Sequence, residues 1–342
     1  MQPDNAHGDA RLATLDAWVS QWLGAPVTGQ PASADASFRR YFRYHHQGRT
    51  LIAMDAPPEH EDCRPFIDVA GRLSAAGVHV PRVLASDLQQ GFLLLDDLGN
   101  ETWLTALDDD NADRWFSAAL DTLITLQKRT VASGLPDYDR ALLRRELGLF
   151  PEWYLGRERG LALDDDSAAR LEAVFEVLIE GALRQPTVFV HRDFMPRNLM
   201  VSEPNPGVLD FQDAVRGPLT YDLISLFKDA FLSWPEARVQ GWLADYQQRA
   251  LAAGLPVPES FDELLRDCDL MGAQRHLKVI GIFSRIHHRD GKPRYLRDVP
   301  RFFGYLRTVI DRRAELRDLG RLFDEWDCPR PDHPGSGREE PA

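Results

Sequence analysis

The apolar run Thr187-Val188-Phe189-Val190 breaks directly into His191-Arg192-Asp193-Phe194-Met195-Pro196-Arg197-Asn198, and a second apolar run closes on Asp210-Phe211-Gln212-Asp213 after Pro206-Gly207. Few other arrangements narrow a chain so far. Runs this short and this apolar read as buried strands. With a Pro-Gly turn between them, 199–202 and 207–209 form a hairpin that brings Asn198 and Asp210 to one end. An amide and a carboxylate suit Mg2+, which takes few protein ligands and completes its shell with water and phosphate oxygens. Asp193 stands where it can accept a proton from an attacking hydroxyl. Each of these residues alone reads equally well as a loop cap. The joint spacing is what points to chemistry.

The remainder of the chain divides by period. A helical stripe of Leu12, Leu15, Trp18, Val19, Trp22 and Leu23 comes first, then the breakers Gly24, Pro26, Gly29 and Pro31. Phe38, Phe42 and Tyr44 then alternate with Arg39, Tyr41 and Arg43. A second run, 50–54, follows the turn at 45–48, predicting a β-hairpin. A helix over 62–76 ending at Gly77 and strands at 82–85 and 91–95 complete a β-rich region of residues 1–98. Residues 99–326 read as mostly helical: 111–129, 140–154, 167–183, 219–232, 235–252, 260–286 and 295–315 all show 3.6-residue periodicity. Ser260 with Glu263 fits a capping box. Residues 327–342 carry little that is apolar and are expected to be a disordered tail. The fold class is α+β.

Composition removes several classes of function. At 342 residues, 44% hydrophobic and 27% charged, the chain is long enough for two lobes sharing a cleft and is not fibrous or wholly disordered. A net charge of −13 disfavours nucleic acid and anionic membranes as partners. No stretch approaches a membrane span, and the first residues have neither basic flank nor apolar core, so a cytoplasmic location is expected. Cys63, Cys268 and Cys328 lie far apart without a CxxC pair and read as isolated thiols. Nothing implies an oligomer.

H-R-D-x-x-x-x-N followed by a strand-terminal D-F resembles the catalytic and metal loops of protein-kinase-like phosphotransferases. The chain as a whole resembles the aminoglycoside-phosphotransferase-like small-molecule kinases. Within them it is similar to the anomeric kinases for N-acetylmuramate and N-acetylglucosamine that serve bacterial cell-wall recycling. The segments that carry this are 36–43, 54–58, 191–200, 207–214 with 217–222, 274–278 and 287–292. The resemblance implies a bilobal protein-kinase-like fold, ATP and Mg2+ as cofactors, and an amino sugar phosphorylated at its anomeric hydroxyl. On it, Asp193 would be the catalytic base, Asn198 and Asp210 would hold the metal, and His191 would brace the loop. Asp222 would support that loop through backbone hydrogen bonds, and the Asp96 carbonyl and Leu98 amide would hold adenine. The acceptor would lie near Glu146, Trp153, Arg197, Arg275 and Lys278.

Two departures from the pattern stand out. The third strand, 51–55, has no phosphate-binding lysine, and no lysine occurs before Lys128. In place of a glycine-rich loop stands Ala36-Ser37-Phe38-Arg39-Arg40. Strand alternation sets Ser37, Arg39 and Arg43 opposite Phe38 and Phe42, so the arginines are expected to take over the phosphates, where a guanidinium binds two oxygens at once. The acid that would pair with the missing lysine is open among Glu59, Glu61, Asp62 and Asp68. Rival readings are a kinase of the same fold for choline, homoserine, a ketosamine or an aminoglycoside, a nucleotide-binding pseudokinase, and a helical interaction protein.

Overall fold

The computed structural model describes residues 10–34 and 38–331. The elements run α1 (Ala10–Leu23), β1 (Gln30–Ala34), β2 (Arg40–His46), β3 (Arg49–Asp55), α2 (Arg64–Ala76), β4 (Val83–Asp87) and β5 (Phe92–Asp96). Then come α3 (Trp103–Ala106), α4 (Ala112–Arg129), α5 (Arg140–Leu147), a π-helical stretch Phe150–Glu158, α6 (Asp165–Leu183) and β6 (Thr187–Val190). After β6 follow β7 (Leu199–Met200), β8 (Gly207–Val208), β9 (Val215–Pro218), α7 (Tyr221–Phe227) and α8 (Glu236–Ala252). The chain closes with α9 (Phe261–Asp290), α10 (Val299–Arg312) and α11 (Arg317–Glu325). These group into two compact units. The first comprises the chain up to Thr102 together with Leu199–Asp213, and the second Trp103–Asn198 with the chain from Ala214 onward. The first therefore runs past the expected break at residue 98 and includes β7 and β8, which the sequence order had set among the helices.

In the first unit an antiparallel sheet has the order β1-β2-β3-β5-β4. The β2–β3 turn is the two residues Gln47 and Gly48, both at positive φ, the handedness that matches strand twist. Leu15 and Val19 of α1 pack on Phe42, Tyr44, Ala53, Phe92 and Leu94, so one sheet face is the core and the alternate residues Tyr41, Arg43, Ile52 and Met54 point the other way. β1 was missed in the sequence because Pro31 reads as a breaker; on an edge strand a missing N–H is tolerated. Gly91 sits at φ 72°, and a Cβ there would lie 1.9 Å from the Ala56 carbonyl oxygen, so no other residue fits. The β7–β8 pair joins this unit through Val208 N–H to His79 O at 2.8 Å and through Phe211, whose ring centroid is 4.8 Å from that of Phe66 on α2.

In the second unit α9 is the central element, buried along most of its 30 residues. Its Gly281 admits the Leu149 backbone at a distance where a Cβ would meet Leu149 C at 2.5 Å. The single helix expected over 140–154 is broken here: α5 stops at Leu147 and Phe150–Glu158 winds as a π-helix. Pro151 lacks the N–H an α-helix needs at that point. The helix expected over 219–232 ends at Phe227, because Asp229 Oδ1 accepts the Phe231 N–H at 2.5 Å and offers the backbone a local alternative. Ser260 is the N-cap of α9, but its side chain makes no cap hydrogen bond, so the capping box is not formed. The expected tail is held at its start: Cys328 is buried, and Arg307 binds the Cys328 and Pro329 carbonyls. Residues 332–342 lie outside the described residues. Among the described residues no helix is long and apolar enough to cross a membrane.

Candidate active site

In the second unit β6 delivers the chain into the loop 191–198. Asp222, in the first turn of α7 and fully buried, clamps that loop: Oδ2 accepts His191 N–H at 2.7 Å and Oδ1 accepts Arg192 N–H at 2.9 Å. Burial pushes the Asp222 carboxyl up to about 7, with the two amides and the Arg275 guanidinium opposing. Arg192 takes the unusual φ of 78°, and its carbonyl accepts from Ser225 Oγ at 3.1 Å. Strain at a non-glycine residue is retained where surrounding bonds over-determine it. Buried His191 accepts the Asp193 N–H on Nδ1 at 3.3 Å. Asn198 Nδ2 donates to the Asp193 carbonyl at 2.9 Å, which fixes the amide and turns Oδ1 the opposite way. Asp193 is half-buried at the centre of this loop.

A buried ionic network lies behind it. Glu146 Oε1 accepts from Arg192 Nη2 at 2.5 Å and from Lys278 Nζ at 2.9 Å. Tyr138 OH and Gln274 Nε2 donate to Oε2. Burial works against the Glu146 charge, but the Lys278 and Arg192 cations prevail and hold its carboxyl below the usual range. Lys278 also donates to Tyr221 OH at 3.0 Å. Glu146 and Lys278, expected at the acceptor, are thus each other's partners, 5% and 8% exposed. They tie the Arg192 side chain to α5 and α9.

The other acceptor candidates fall in two places. Trp153 is half-buried in the π-helical stretch with Arg157 over its ring at 6.0 Å. Arg197 is exposed, 5.2 Å from the Phe231 ring. Arg275 is only 4% exposed, yet its Nε and Nη1 make no hydrogen bond. Asp229, 1% exposed, leaves Oδ2 without a partner. Burial pushes its carboxyl up to about 6 against the charges of Arg275, Arg301 and Arg197. Buried polar atoms are nearly always paired, so these three stand apart from most of the buried polar groups. Asp229 escaped the sequence reading because it sits inside an apolar stripe that looked helical.

In the first unit, Ser37 lies outside the described residues. Arg39 Nη2 pairs with Glu61 Oε2 at 2.9 Å, both side chains largely covered. Arg43, expected at the phosphates, is instead engaged by Asp97 at 2.6 and 3.0 Å and by the Gly99 carbonyl at 2.9 Å, so it ties β2 to the segment after β5. Burial raises the Asp97 carboxyl, and the Arg43 guanidinium with the Gly99 amide more than reverses this. Asp96 ends β5 with its side chain on Arg82, and Leu98 packs where a Cβ on Gly207 would meet it at 2.8 Å. Asp210 takes φ 62° and accepts from Gln212 Nε2 at 2.8 Å. Leu199, which follows Asn198, pairs with Val208, two residues before Asp210.

A loop of this order, clamped by a buried aspartate, on an α+β chain with a five-stranded antiparallel sheet, two short strand pairs and a largely helical second unit, defines a kinase-like phosphotransferase. The chain belongs to the phosphotransferase enzyme family, whose model matches residues 28–264. Within it, the chain is 58% identical over 326 residues to a protein of Pseudomonas aeruginosa described as N-acetylmuramate/N-acetylglucosamine kinase, covering 92% of this chain and 96% of that one. A Neisseria meningitidis protein of the same description is 46% identical, with 86% and 89% covered. Among solved structures, choline kinase LicA from Streptococcus pneumoniae superposes with a TM-score of 0.60 at 13% identity, over 86% of this chain and 98% of that one. ADP-bound aminoglycoside phosphotransferase APH(2'')-Ib gives 0.59 at 13%, over 87% and 98%. At that identity the likeness concerns the fold alone.

Proposed function

We propose that the protein transfers the γ-phosphoryl group of ATP to the anomeric hydroxyl of N-acetylmuramate and N-acetylglucosamine, giving the sugar 1-phosphates. Its place would be in the cytoplasm, recycling peptidoglycan sugars toward nucleotide-sugar precursors. The observation that carries this reading is the 58% identity to the Pseudomonas kinase along nearly the whole of both chains, joined to a complete Asp193/Asn198/Asp210 set.

Asp193 would orient the anomeric hydroxyl and take its proton. That hydroxyl is more acidic than the others of a sugar, and phosphoryl transfer proceeds through a loose transition state, so the carboxylate need act only late. The backbone bonds from Asp222 keep Asp193 in place without touching substrate. Asn198 Oδ1 and the Asp210 carboxylate are hard oxygen donors of the kind Mg2+ prefers, and they would hold that ion. Bound there, the ion supplies positive charge to the phosphate oxygens. The Asp96 carbonyl and Leu98 amide would receive adenine. Arg197, Arg275 and Asp229 would meet the acceptor, Arg275 with two unsatisfied donors and Asp229 with an unsatisfied acceptor, a combination suited to a molecule bearing both hydroxyls and an acetamido carbonyl.

The Arg39–Glu61 pair would take the part of the missing lysine and its acid. Replacing Arg39 with Ala is expected to lower kcat/KM for ATP by about 10- to 100-fold, the range of one charge-assisted contact. Arg39→Lys should recover part of the loss. Steady-state kinetics with varied ATP measures both, and an Arg39→Ala enzyme of wild-type efficiency would remove this assignment. The overall reading is tested by incubating the protein with Mg2+, ATP and each amino sugar and locating the phosphate by phosphorus NMR.

A further inference from the structure

The segment His287-His288-Arg289-Asp290-Gly291-Lys292 carries part of the family resemblance, but none of its residues has a part in the phosphotransfer chemistry proposed above. His287 and His288 lie in the last turn of α9, and Glu158 is the last residue of the π-helical stretch. One donor atom from each of the three falls within 4.8 Å of the other two. Glu158 Oε2 and His288 Nε2 are 2.8 Å apart, and the two imidazole centroids are separated by 4.7 Å. His287 Nδ1 is buried without a hydrogen-bond partner. The Glu158 and His288 side chains are 27% and 33% exposed, so water can reach a fourth position.

We infer that Glu158, His287 and His288 form a binding site for a borderline divalent metal of the zinc class, separate from the residues assigned to phosphate-bound Mg2+. Two imidazoles and one carboxylate suit Zn2+, Co2+ or Ni2+, whereas Mg2+ avoids nitrogen ligands. Tetrahedral bonds of about 2.0–2.2 Å put donors roughly 3.3–3.5 Å apart. Glu158 Oε2 and His288 Nε2, at 2.8 Å, stand closer than that, and all three donors lie within 4.8 Å of one another, so side-chain rotations alone close the site. The occupied site would clip the end of the π-helical stretch to the end of α9, and occupancy would stabilise the fold by mass action.

The test uses the untagged, full-length protein after chelator treatment. Zn2+ is titrated calorimetrically in millimolar Mg2+, and Co2+ is followed by visible absorption, for wild type, His288→Ala and Glu158→Gln. The wild type should bind one more Zn2+ per chain than His288→Ala, or bind it about tenfold or more tightly. The Co2+ ligand-field bands should be lost in that variant and weakened in Glu158→Gln. Both changes fall on partly exposed side chains, and matched circular dichroism melts of the metal-free proteins verify the folds. Failure of the wild type to bind Zn2+, or equal stoichiometry and affinity in all three proteins, overturns the site.

Discussion

The Asp193→Asn protein is expected to keep its fold and its affinity for nucleotide and to lose about 10²- to 10⁴-fold in kcat, the range of a general base removed from a hydroxyl attack. Asparagine preserves volume and leaves the backbone contacts intact, including the Asp193 carbonyl bound by Asn198 Nδ2 and the Asp193 N–H on His191 Nδ1. The loss should therefore fall on turnover and leave KM and the melting temperature close to wild type. Stopped assays of ADP release with a saturating amino sugar measure it directly. A variant with near-normal turnover would show that the proton leaves by another route and that Asp193 has only a positioning part.

The second large effect is expected at a residue that touches no substrate. Asp222→Asn retains one oxygen acceptor but sets an amide N–H2 against the other backbone N–H, so either the His191 or the Arg192 amide loses its partner. Leaving a buried donor unsatisfied costs about 1–3 kcal/mol. The same change removes a carboxylate whose folded pKa, about 7, stands above its ordinary value. A carboxyl raised on folding binds its proton more readily in the folded state. The ionised form thus opposes folding at neutral pH, and this opposition fades as pH falls from about 7 toward the unfolded value. The two consequences offset each other in stability but not in catalysis. Asp222→Asn should melt within a few degrees of wild type, lose the part of its stability profile that changes across pH 4–7, and fall about 10- to 100-fold in kcat as Asp193 loosens. Thermal melts over that pH range together with kcat decide it. Unchanged kcat would mean that the loop holds its shape without the clamp.

Particular residues show what was legible in advance. Asp193, Asn198 and Asp210 stand out because a local spacing encodes them, and Asp222 because it ends the segment Gly217-Pro218-Leu219-Thr220-Tyr221-Asp222. The β2–β3 hairpin and α2 follow from period alone. Pairings across long sequence separations do not. Nothing local to the sequence pairs Glu61 with Arg39, and Arg43 looked available until Asp97 claimed it. Lys278 and Glu146, 132 positions apart in sequence numbering, read as separate ligands until they proved to be an ion pair. The π-helical stretch and the short α7 escaped for a different reason: Pro151 and the Asp229 turn override an apolar stripe whose period still reads as α-helix.

What defines the proposed activity is the atom that receives the phosphate. Purified protein with Mg2+ and ATP, offered N-acetylmuramate, N-acetylglucosamine, choline and homoserine in parallel and read by phosphorus NMR, tests it most directly. A sugar 1-phosphate from both amino sugars, its phosphorus coupled to the anomeric proton, is the predicted result. Phosphate on another sugar hydroxyl, or on choline or homoserine with none on the amino sugars, would contradict it.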